Sequence, residues 1–385
     1  MKRDVIVIGG GVIGLSIAYN ILKLKPNLKV VVLEQKYIGY GASTRNASHI
    51  RVHFWSEENA RFAVESWRLM AKIASELKWN PLRYLGGYLW LVYDEEILKA
   101  YEDMNERLWS RLGFPVKILD RSEVKRRYPY INTNGLYMAV FGPQDGKIHH
   151  DFITYGYYYG IKKLGGKVLE YTPAIKIRVE REKVVGVETI VGFLESDKVI
   201  VAAGAWSRKL FNDIGLDLPL EPARKEIFVS EPTKPFIKPL IVDMREDSKG
   251  LYICQTQRGE VMGSIDYPEV KNTFKFTNTL RWMATFSRLA IRLIPTLRHL
   301  KFLRLWSGNY NMSPDHSHIL GRDDEWPDGL YVATGFSGHG FMMAPYTGVV
   351  MAKYIVEGII PELMKPYLPS RFREGRLIKE TMVIG

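Results

Sequence analysis

The chain has 385 residues, which exceeds the size of one compact core and predicts two domains. Its 54 Lys and Arg residues outnumber its 42 Asp and Glu residues, but they form no basic run or repeat, which argues against nucleic-acid binding. A single Cys excludes an internal disulfide framework and a CxxC site, and no uninterrupted apolar stretch is long enough for a transmembrane helix. We therefore expect a cytoplasmic protein, and the many Lys, Arg, Glu and Tyr residues are typical of a thermophile.

The first elements of the chain follow the order strand, glycine-rich turn, helix, strand. Asp4–Ile8 and Leu28–Leu33 are short apolar runs typical of buried strands. Between them, Gly9–Gly14 (GGGVIG) opens a helical apolar pattern over Leu15–Leu24, and Glu34 follows the second strand. This is the dinucleotide-binding fingerprint, in which GxGxxG is followed by an acid about twenty residues further on.

Each part of the fingerprint has a physical role. Gly9 permits a tight turn, Gly11 lets the backbone approach a pyrophosphate, and Gly14 lets the helix pack closely on the strand. The helix N-terminus offers N–H groups and a partial positive charge to the phosphates. Glu34 can accept hydrogen bonds from a ribose, which disfavours a 2′-phosphate. The fingerprint alone suits NAD as well as FAD.

Later segments predict an α/β chain, α+β overall, with two interleaved domains. Lys198–Ala203 and Leu330–Thr334 are further buried strands, so the Rossmann-type domain is discontinuous, and we assign it residues 1–85, 146–218 and 300–385. Residues 86–145 and 219–299 are assigned to a second, substrate-binding domain with an antiparallel sheet, followed by a helix over about Phe276–Leu293. Its alternating segments are Lys225–Ser230, Leu240–Met244, Gly250–Thr256 and Glu260–Ile265.

Four motifs resemble those of the FAD-dependent amine oxidoreductases, the family of D-amino-acid oxidase, glycine oxidase and sarcosine oxidase. They are Gly41–Asn46 (GASTRN), Val201–Ser207 (VAAGAWS), Ser313–Asp315 (SPD) and Gly335–Met342 (GFSGHGFM). The C-terminal Arg371–Arg376 (RFREGR) resembles the tail of sarcosine oxidase β subunits. Within the family, the chain is most similar to those subunits and to the β subunits of dye-linked L-proline dehydrogenases.

The resemblance implies an FAD bound without a covalent bond. The family's covalent cysteine lies shortly before the Ser/Thr-Pro-Asp motif, whereas Trp306–Met312 contains no Cys and Cys254 is far away in sequence. The implied FAD-binding residues are Gly9, Gly11, Val12, Ile13, Gly14, Glu34, Gln35, Ser43, Thr44, Arg45, Asn46, Ala47, Ser48, Ala174, Ala203, Gly204, Trp206, Gly308, Gly338, His339, Gly340, Phe341 and Met342.

The family reaction moves a hydride from the carbon beside an amine to flavin N5, so the protein has to bind and orient its substrate. The resemblance implies that Arg51 pairs with the substrate carboxylate through two hydrogen bonds, and that Tyr252 faces the substrate. His339 and Met342, in the loop expected at the pyrimidine edge of the flavin, complete the implied site. Sarcosine oxidases have a lysine where Met342 stands, so the carboxylate clamp differs in part.

The expected activity is that of a dehydrogenase. Monomeric sarcosine oxidases carry a lysine near the flavin that promotes reaction with oxygen, and Val261 stands at the comparable place here. L-proline, oxidised to 1-pyrroline-5-carboxylate, is the best substrate prediction, with sarcosine, glycine and opine-type amines as alternatives. A non-catalytic FAD-binding scaffold stays open as another class. An NAD(P)H-dependent reductase is disfavoured because a second GxGxxG and a CxxC are missing.

His149-His150-Asp151 resembles the context in which heterotetrameric sarcosine oxidases hold FMN on a β-subunit histidine. This implies an FMN on His150, a partner α subunit in a hetero-oligomer, and electron transfer to the FMN or to an external acceptor. Such a partner also leaves open a membrane association. We predict no metal site, because His316 and His318 lack an evident third ligand.

Overall fold

The computed structural model describes residues 2–266 and 273–381. Its strands are β1 Val5–Ile8, β2 Val30–Leu33, β3 His49–Ile50, β4 Tyr88–Val92, β5 Lys117–Asp120, β6 Met138–Gly142, β7 Gly146–Lys147, β8 Lys167–Leu169, β9 Ala174–Glu180, β10 Lys183–Thr189, β11 Gly192–Glu195, β12 Val199–Val201, β13 Glu221–Pro232, β14 Leu240–Asp243, β15 Tyr252–Gln255, β16 Glu260–Ser264, β17 Phe302–Met312, β18 Ile319–Gly321 and β19 Leu330–Thr334. Its α-helices are α1 Val12–Leu24, α2 Glu57–Leu77, α3 Glu95–Met104, α4 Arg121–Arg127, α5 His150–Lys163, α6 Ser207–Asn212, α7 Leu280–Leu293, α8 Gly340–Glu357 and α9 Ser370–Arg373.

The predicted Rossmann-type sheet is confirmed. Its strands lie in the order β18-β19-β12-β1-β2-β8, and all neighbouring pairs are parallel except the edge pair of β18 and β19. Both faces are covered, since Val5 and Val7 pack with α1 and α8 whereas Ile6 and Ile8 pack with β9, β10 and α6. This two-sided burial explains why the strands are continuous apolar runs.

The second sheet has eight strands in the order β17-β13-β16-β15-β14-β4-β6-β5. The predicted antiparallel sheet is confirmed, with one pair, β14 and β4, that runs parallel. These two strands are far apart in sequence and are joined by a long connection rather than a hairpin, which permits parallel pairing. The helix that follows begins at Leu280, later than predicted, because Thr279 is its N-cap and accepts a hydrogen bond from Trp282 N.

Strand alternation gives the large sheet two buried faces. One face carries Leu89, Ile241 and Ile253 and is covered by α7, whereas the other carries Tyr88, Leu240 and other residues that line a cavity. The division into two domains stays a prediction, and β17 joins the large sheet although its residues were assigned to the Rossmann-type domain. No helix among the described residues is long and apolar enough to cross a membrane.

Candidate active site

A cavity of about 540 Å³ is lined by residues of both sheets and of the loops that follow their strands. Two parts of its lining differ in composition. The glycine wall consists of Gly9, Gly11, Val12 and Glu34, at the ends of β1 and β2. The arginine wall consists of Arg51, Tyr88, Tyr252 and His339.

The glycines of the turn between β1 and α1 stand where a side chain would collide. Gly9 has φ of +120°, and a Cβ there would lie 2.3 Å from the carbonyl oxygen of Ala202. A Cβ on Gly14 would lie 2.1 Å from the carbonyl oxygen of Gly9, so this residue allows α1 to start directly against the turn. Gly11 faces the cavity beside Ser43, whose Oγ accepts a hydrogen bond from Val12 N at 2.9 Å. The backbone is therefore open to a ligand that approaches the start of α1.

Glu34 holds its carboxylate at the end of β2. It is buried, and its two oxygens accept hydrogen bonds from Gly10 N at 2.9 Å and from Lys36 N at 2.8 Å. Burial raises the pKa of the Glu34 carboxyl, while the hydrogen bonds from backbone N–H groups act in the opposite direction. Its position in the cavity lining fits the predicted ribose contact.

Most of the predicted FAD-binding residues line the cavity. They are Gly9, Gly11, Val12, Ile13, Glu34, Gln35, Ser43, Arg45, Asn46, Ala47, Ala174, Ala203, Gly204, Trp206, Gly308, Gly338, His339, Gly340, Phe341 and Met342. Gly14, Thr44 and Ser48 do not line it. The Thr44 hydroxyl donates to the Gly39 carbonyl oxygen at 2.9 Å, and Ser48 forms a turn with φ of 61° in which Asn46 accepts from its N–H group. Thr44 and Ser48 thus shape the loop rather than its cavity surface.

Arg51 follows β3 and lies buried in the cavity lining. One terminal nitrogen donates to the His53 carbonyl oxygen at 2.6 Å, and the other donates to His339 Nε2 at 3.2 Å. The guanidinium carbon lies 4.2 Å from the ring centre of Phe54. Because a guanidinium can only donate, His339 Nε2 accepts, and the imidazole carries its proton on Nδ1. The predicted residues Arg51 and His339 are thus in direct contact.

Three tyrosines face the same cavity, Tyr88, Tyr252 and Tyr310. Burial raises the pKa of Tyr252 and Tyr88 well above the usual value, and that of Tyr310 to about 12. The charge of Arg51 lowers the pKa of Tyr88, which is a smaller effect than burial. At neutral pH all three hydroxyls are therefore protonated and can donate hydrogen bonds.

Sequence reasoning identified Tyr252 but missed Tyr88 and Tyr310, as well as His49 and Lys225, which also line the cavity. Burial and the nearby Lys147 lower the pKa of His49 to about 3, so its ring is neutral. The alternation of side chains along β4 would have placed Tyr88 on one face of the strand. The sequence does not show, however, that this face is turned to the cavity.

The interpretation of Val261 is wrong. Val261 does not line the cavity and is fully buried in the apolar cluster that contains Trp282 and Phe286 of α7. The reason is strand alternation, which turns Val261 to the opposite face of the sheet from Met262. The residue type at position 261 therefore carries no information about the reaction with oxygen.

The single cysteine, Cys254, is buried in β15 and is not part of the cavity lining. Burial raises the pKa of its thiol to about 12, although the charge of Lys147 acts in the opposite direction. A thiol is nucleophilic only as the thiolate, so Cys254 is a poor candidate for a covalent bond to a cofactor.

His150 lies outside the cavity lining, at the start of α5. Its Nδ1 is 2.8 Å from Asp151 Oδ1, and ligand-type atoms of His149, His150 and Asp151 lie within 4.8 Å of one another. His316 and His318 belong to no such cluster among the described residues. His318 is buried between aromatic rings, including that of Tyr367, which explains its pKa far below the usual value.

Comparisons with known proteins agree with this geometry. The family model "FAD dependent oxidoreductase" (DAO) matches residues 4–354, so the chain belongs to this family. It is an FAD-dependent oxidoreductase of the type that acts on amines and amino acids.

Three relatives are informative. The sarcosine oxidase β subunit of Rhodobacter capsulatus is 28% identical over 390 aligned positions, covering 100% of this chain and 92% of the relative. The glycine oxidase of Geobacillus kaustophilus is 25% identical, covering 92% of this chain and 93% of the relative. The crystal structure of L-proline dehydrogenase from P. horikoshii is 32% identical, with a TM-score of 0.90 and coverage of 98% of this chain and 99% of that one.

Proposed function

We propose that the chain is a dehydrogenase that oxidises a secondary-amine amino acid, with L-proline converted to 1-pyrroline-5-carboxylate as the best assignment. The observation that carries the proposal is the buried guanidinium of Arg51, which lines the cavity beside protonated tyrosines. A buried cation that faces a cavity suits a carboxylate, because the two can form paired charge-assisted hydrogen bonds.

The glycine wall supports FAD as the cofactor. Gly11, which has no side chain, leaves the backbone open to the pyrophosphate, and Glu34 would accept the hydrogen bonds of the ribose. When bound, FAD supplies the chemistry by accepting the hydride from the carbon beside the amine. The chain's own contribution at the other end includes α8, which begins at Gly340 in the cavity lining. The first N–H groups of a helix have no intrahelical partner, so they can stabilise negative charge on the flavin.

The residues of the arginine wall orient the substrate. Arg51 binds the carboxylate, and the hydroxyls of Tyr88 and Tyr252 donate hydrogen bonds to it or to its neighbours. Ile227 and Leu240 line the same cavity and offer an apolar surface to the methylene groups of a ring. The similarity to an L-proline dehydrogenase structure supports both a dehydrogenase and proline, whereas the relatives named for sarcosine and glycine support the alternatives.

A substrate panel with dye reduction tests the assignment. L-proline, sarcosine, glycine and an opine-type amine are compared with the FAD-loaded protein at equal concentrations. We expect the highest kcat/KM with L-proline, and a higher value for sarcosine would transfer the assignment to that amine. Reoxidation by air as fast as by the dye would show an oxidase rather than a dehydrogenase.

The FMN and the partner subunit form a separate proposal. It rests on the position of His150 beside Asp151 and on the similarity to sarcosine oxidase β subunits. Chromatography of the flavins extracted from the copurified complex tests it. FMN together with FAD supports the proposal, and FAD alone in a complex with its partner contradicts it.

A further inference from the structure

A fully buried hydrogen-bonded pair, His53 and Asp145, lies directly behind Arg51. His53 Nδ1 is 2.7 Å from Asp145 Oδ2, and both side chains are almost completely inaccessible to solvent. The other ring nitrogen, His53 Nε2, is 3.1 Å from the carbonyl oxygen of Phe114. Neither residue is part of the cavity lining.

The hydrogen bonds fix the orientation of both side chains. The carbonyl oxygen of Phe114 can only accept, so His53 Nε2 donates to it, and the opposite ring nitrogen, Nδ1, forms the hydrogen bond with Asp145 Oδ2. The second oxygen, Asp145 Oδ1, accepts from Val52 N at 3.2 Å. Asp145 thus holds two consecutive residues of the chain, one through its backbone and one through its side chain.

Neighbouring residues pack tightly against His53 and Asp145. A Cβ on Gly142 would lie 2.4 Å from Asp145 Oδ2 and 2.7 Å from His53 Cε1, so only glycine leaves room for the contact. The rings of Trp90 and Trp109 stand edge-on to the imidazole, with centres at 5.6 Å and 5.1 Å. The imidazole consequently has little freedom to tilt or to move away from Asp145.

The pair is connected to the cavity through the backbone of His53. The carbonyl oxygen of this residue accepts the 2.6 Å hydrogen bond from Arg51. Since Asp145 fixes both Val52 N and the His53 ring, it also fixes the direction of that carbonyl group. The guanidinium of Arg51 is held in turn by this carbonyl group and by His339 Nε2.

The geometry points to the hydrogen-bonded pair of His53 and Asp145 as a positioning device that sets the guanidinium of Arg51 for the carboxylate of the substrate. This inference rests on the proposed function, in which Arg51 binds that carboxylate. It adds two positioning residues that act through Arg51 and do not touch the substrate. A geometric error of about 1 Å at such a clamp can cost about 100-fold in rate, so a device outside the cavity can matter for catalysis.

A double-mutant cycle on the FAD-loaded protein tests the inference. The ligand is tetrahydrofuran-2-carboxylate, in which oxygen replaces the amine nitrogen, and its binding is followed by the change in flavin absorption. We expect Asp145→Asn to weaken binding about 10- to 100-fold. In an Arg51→Met background, the same substitution should have no further effect, because its action passes through Arg51.

Asp243→Asn is the matched control. Asp243 is equally buried and pairs with Arg245 at 2.5 Å, but neither residue lines the cavity. Its substitution should leave the affinity for the carboxylate unchanged. Equal effects of Asp145→Asn with and without Arg51, or none at all, would overturn the positioning role.

Histidine-selective ¹⁵N NMR on the unsubstituted protein gives a readout that needs no variant to fold. A His53 ring N–H proton that is shifted downfield and protected from exchange with solvent supports the inference, and a His53 ring whose protons exchange freely overturns it. The outcomes of the tests separate this inference from the proposed function. A protected His53 ring proton and a non-additive cycle, without oxidation of L-proline, would contradict the substrate assignment alone.

Discussion

The glycine wall and the arginine wall line one cavity, yet they are assembled in different ways. All residues of the glycine wall lie within one strand-helix-strand unit, between Gly9 and Glu34. The arginine wall takes Arg51, Tyr88, Tyr252 and His339 from four distant segments, including two strands of the large sheet. Local geometry therefore suffices for the first wall, whereas the second depends on how the whole chain folds.

The largest effect is expected in the glycine wall. In Gly11→Val, the new Cβ would meet Ser43 Oγ at 2.9 Å, and the rest of the side chain would occupy the approach of the pyrophosphate. We expect the affinity for FAD to fall about 1,000-fold or more, which corresponds to roughly 4 kcal/mol. Fluorescence titration of the apoprotein with FAD measures this change.

The matched control for Gly11→Val is Gly165→Asn. Gly165 also lies outside the strands, has φ of +82°, and a Cβ there would meet nothing within 4 Å. Asn tolerates this region of backbone conformation. Unchanged FAD affinity in Gly11→Val would show that the glycine wall does not contact the cofactor.

Arg51→Met should separate the two walls. Removing one partner of a desolvated charge pair costs about 3–5 kcal/mol, so kcat/KM for the amino acid should fall about 100- to 1,000-fold or more. The FAD content should remain that of the unsubstituted protein, because Arg51 belongs to the other wall. Steady-state dye reduction and the flavin-to-protein absorbance ratio measure the two effects.

Two further variants sharpen the Arg51 result. Arg51→Lys keeps the charge but loses the planar pair of donors, so an intermediate kcat/KM is expected. Arg178→Met removes a half-exposed arginine of β9 and should change nothing. Loss of FAD from Arg51→Met would mean that the two walls do not act separately.

Tyr252→Phe should have a smaller effect, about tenfold in kcat/KM, which is typical of one hydrogen bond to a charged group. Since burial raises the pKa of Tyr252 well above 10, its hydroxyl remains a donor throughout the working range. Below pH 10, the pH profile of kcat/KM should therefore have the same shape in the unsubstituted protein and in Tyr252→Phe. A basic limb near pH 9 that disappears in the variant would contradict this protonation state.

The smallest effect concerns Cys254. With a thiol pKa of about 12, roughly one molecule in 10,000 carries a thiolate at pH 8, so iodoacetamide should not label the folded protein. Trichloroacetic acid should release all the FAD into the supernatant, and urea-unfolded protein serves as the positive control for labelling. Yellow colour in the pellet would reveal a covalent flavin bond.

The glycine wall could be predicted from the sequence more fully than the arginine wall. The strands around Gly9–Glu34 and the helix between them were predictable because apolar period, glycine positions and acid all occur within one short segment. Arg51 lies buried in the cavity lining, and its role toward the substrate, which was assigned by resemblance, stays a prediction. Tyr88 was missed because the parallel pairing of β4 with β14 joins segments about 150 residues apart, and no local pattern encodes it.

Val261 shows a second limit. A strand turns consecutive residues to opposite faces, so an error of one position in matching it to a relative exchanges cavity for core. The buried pair of His53 and Asp145 was not visible either, because its partners are 92 positions apart. Such contacts depend on tertiary structure, whereas the fingerprint depends on local backbone geometry.

Anaerobic mixing of the FAD-loaded protein with L-proline tests the central claim most directly. We predict rapid bleaching of the flavin absorption band, loss of this bleaching in Arg51→Met, and equal FAD content in both proteins. Bleaching that persists unchanged in Arg51→Met would contradict the role of the arginine wall. An unbleached flavin in the unsubstituted protein would contradict the assignment of L-proline as the substrate.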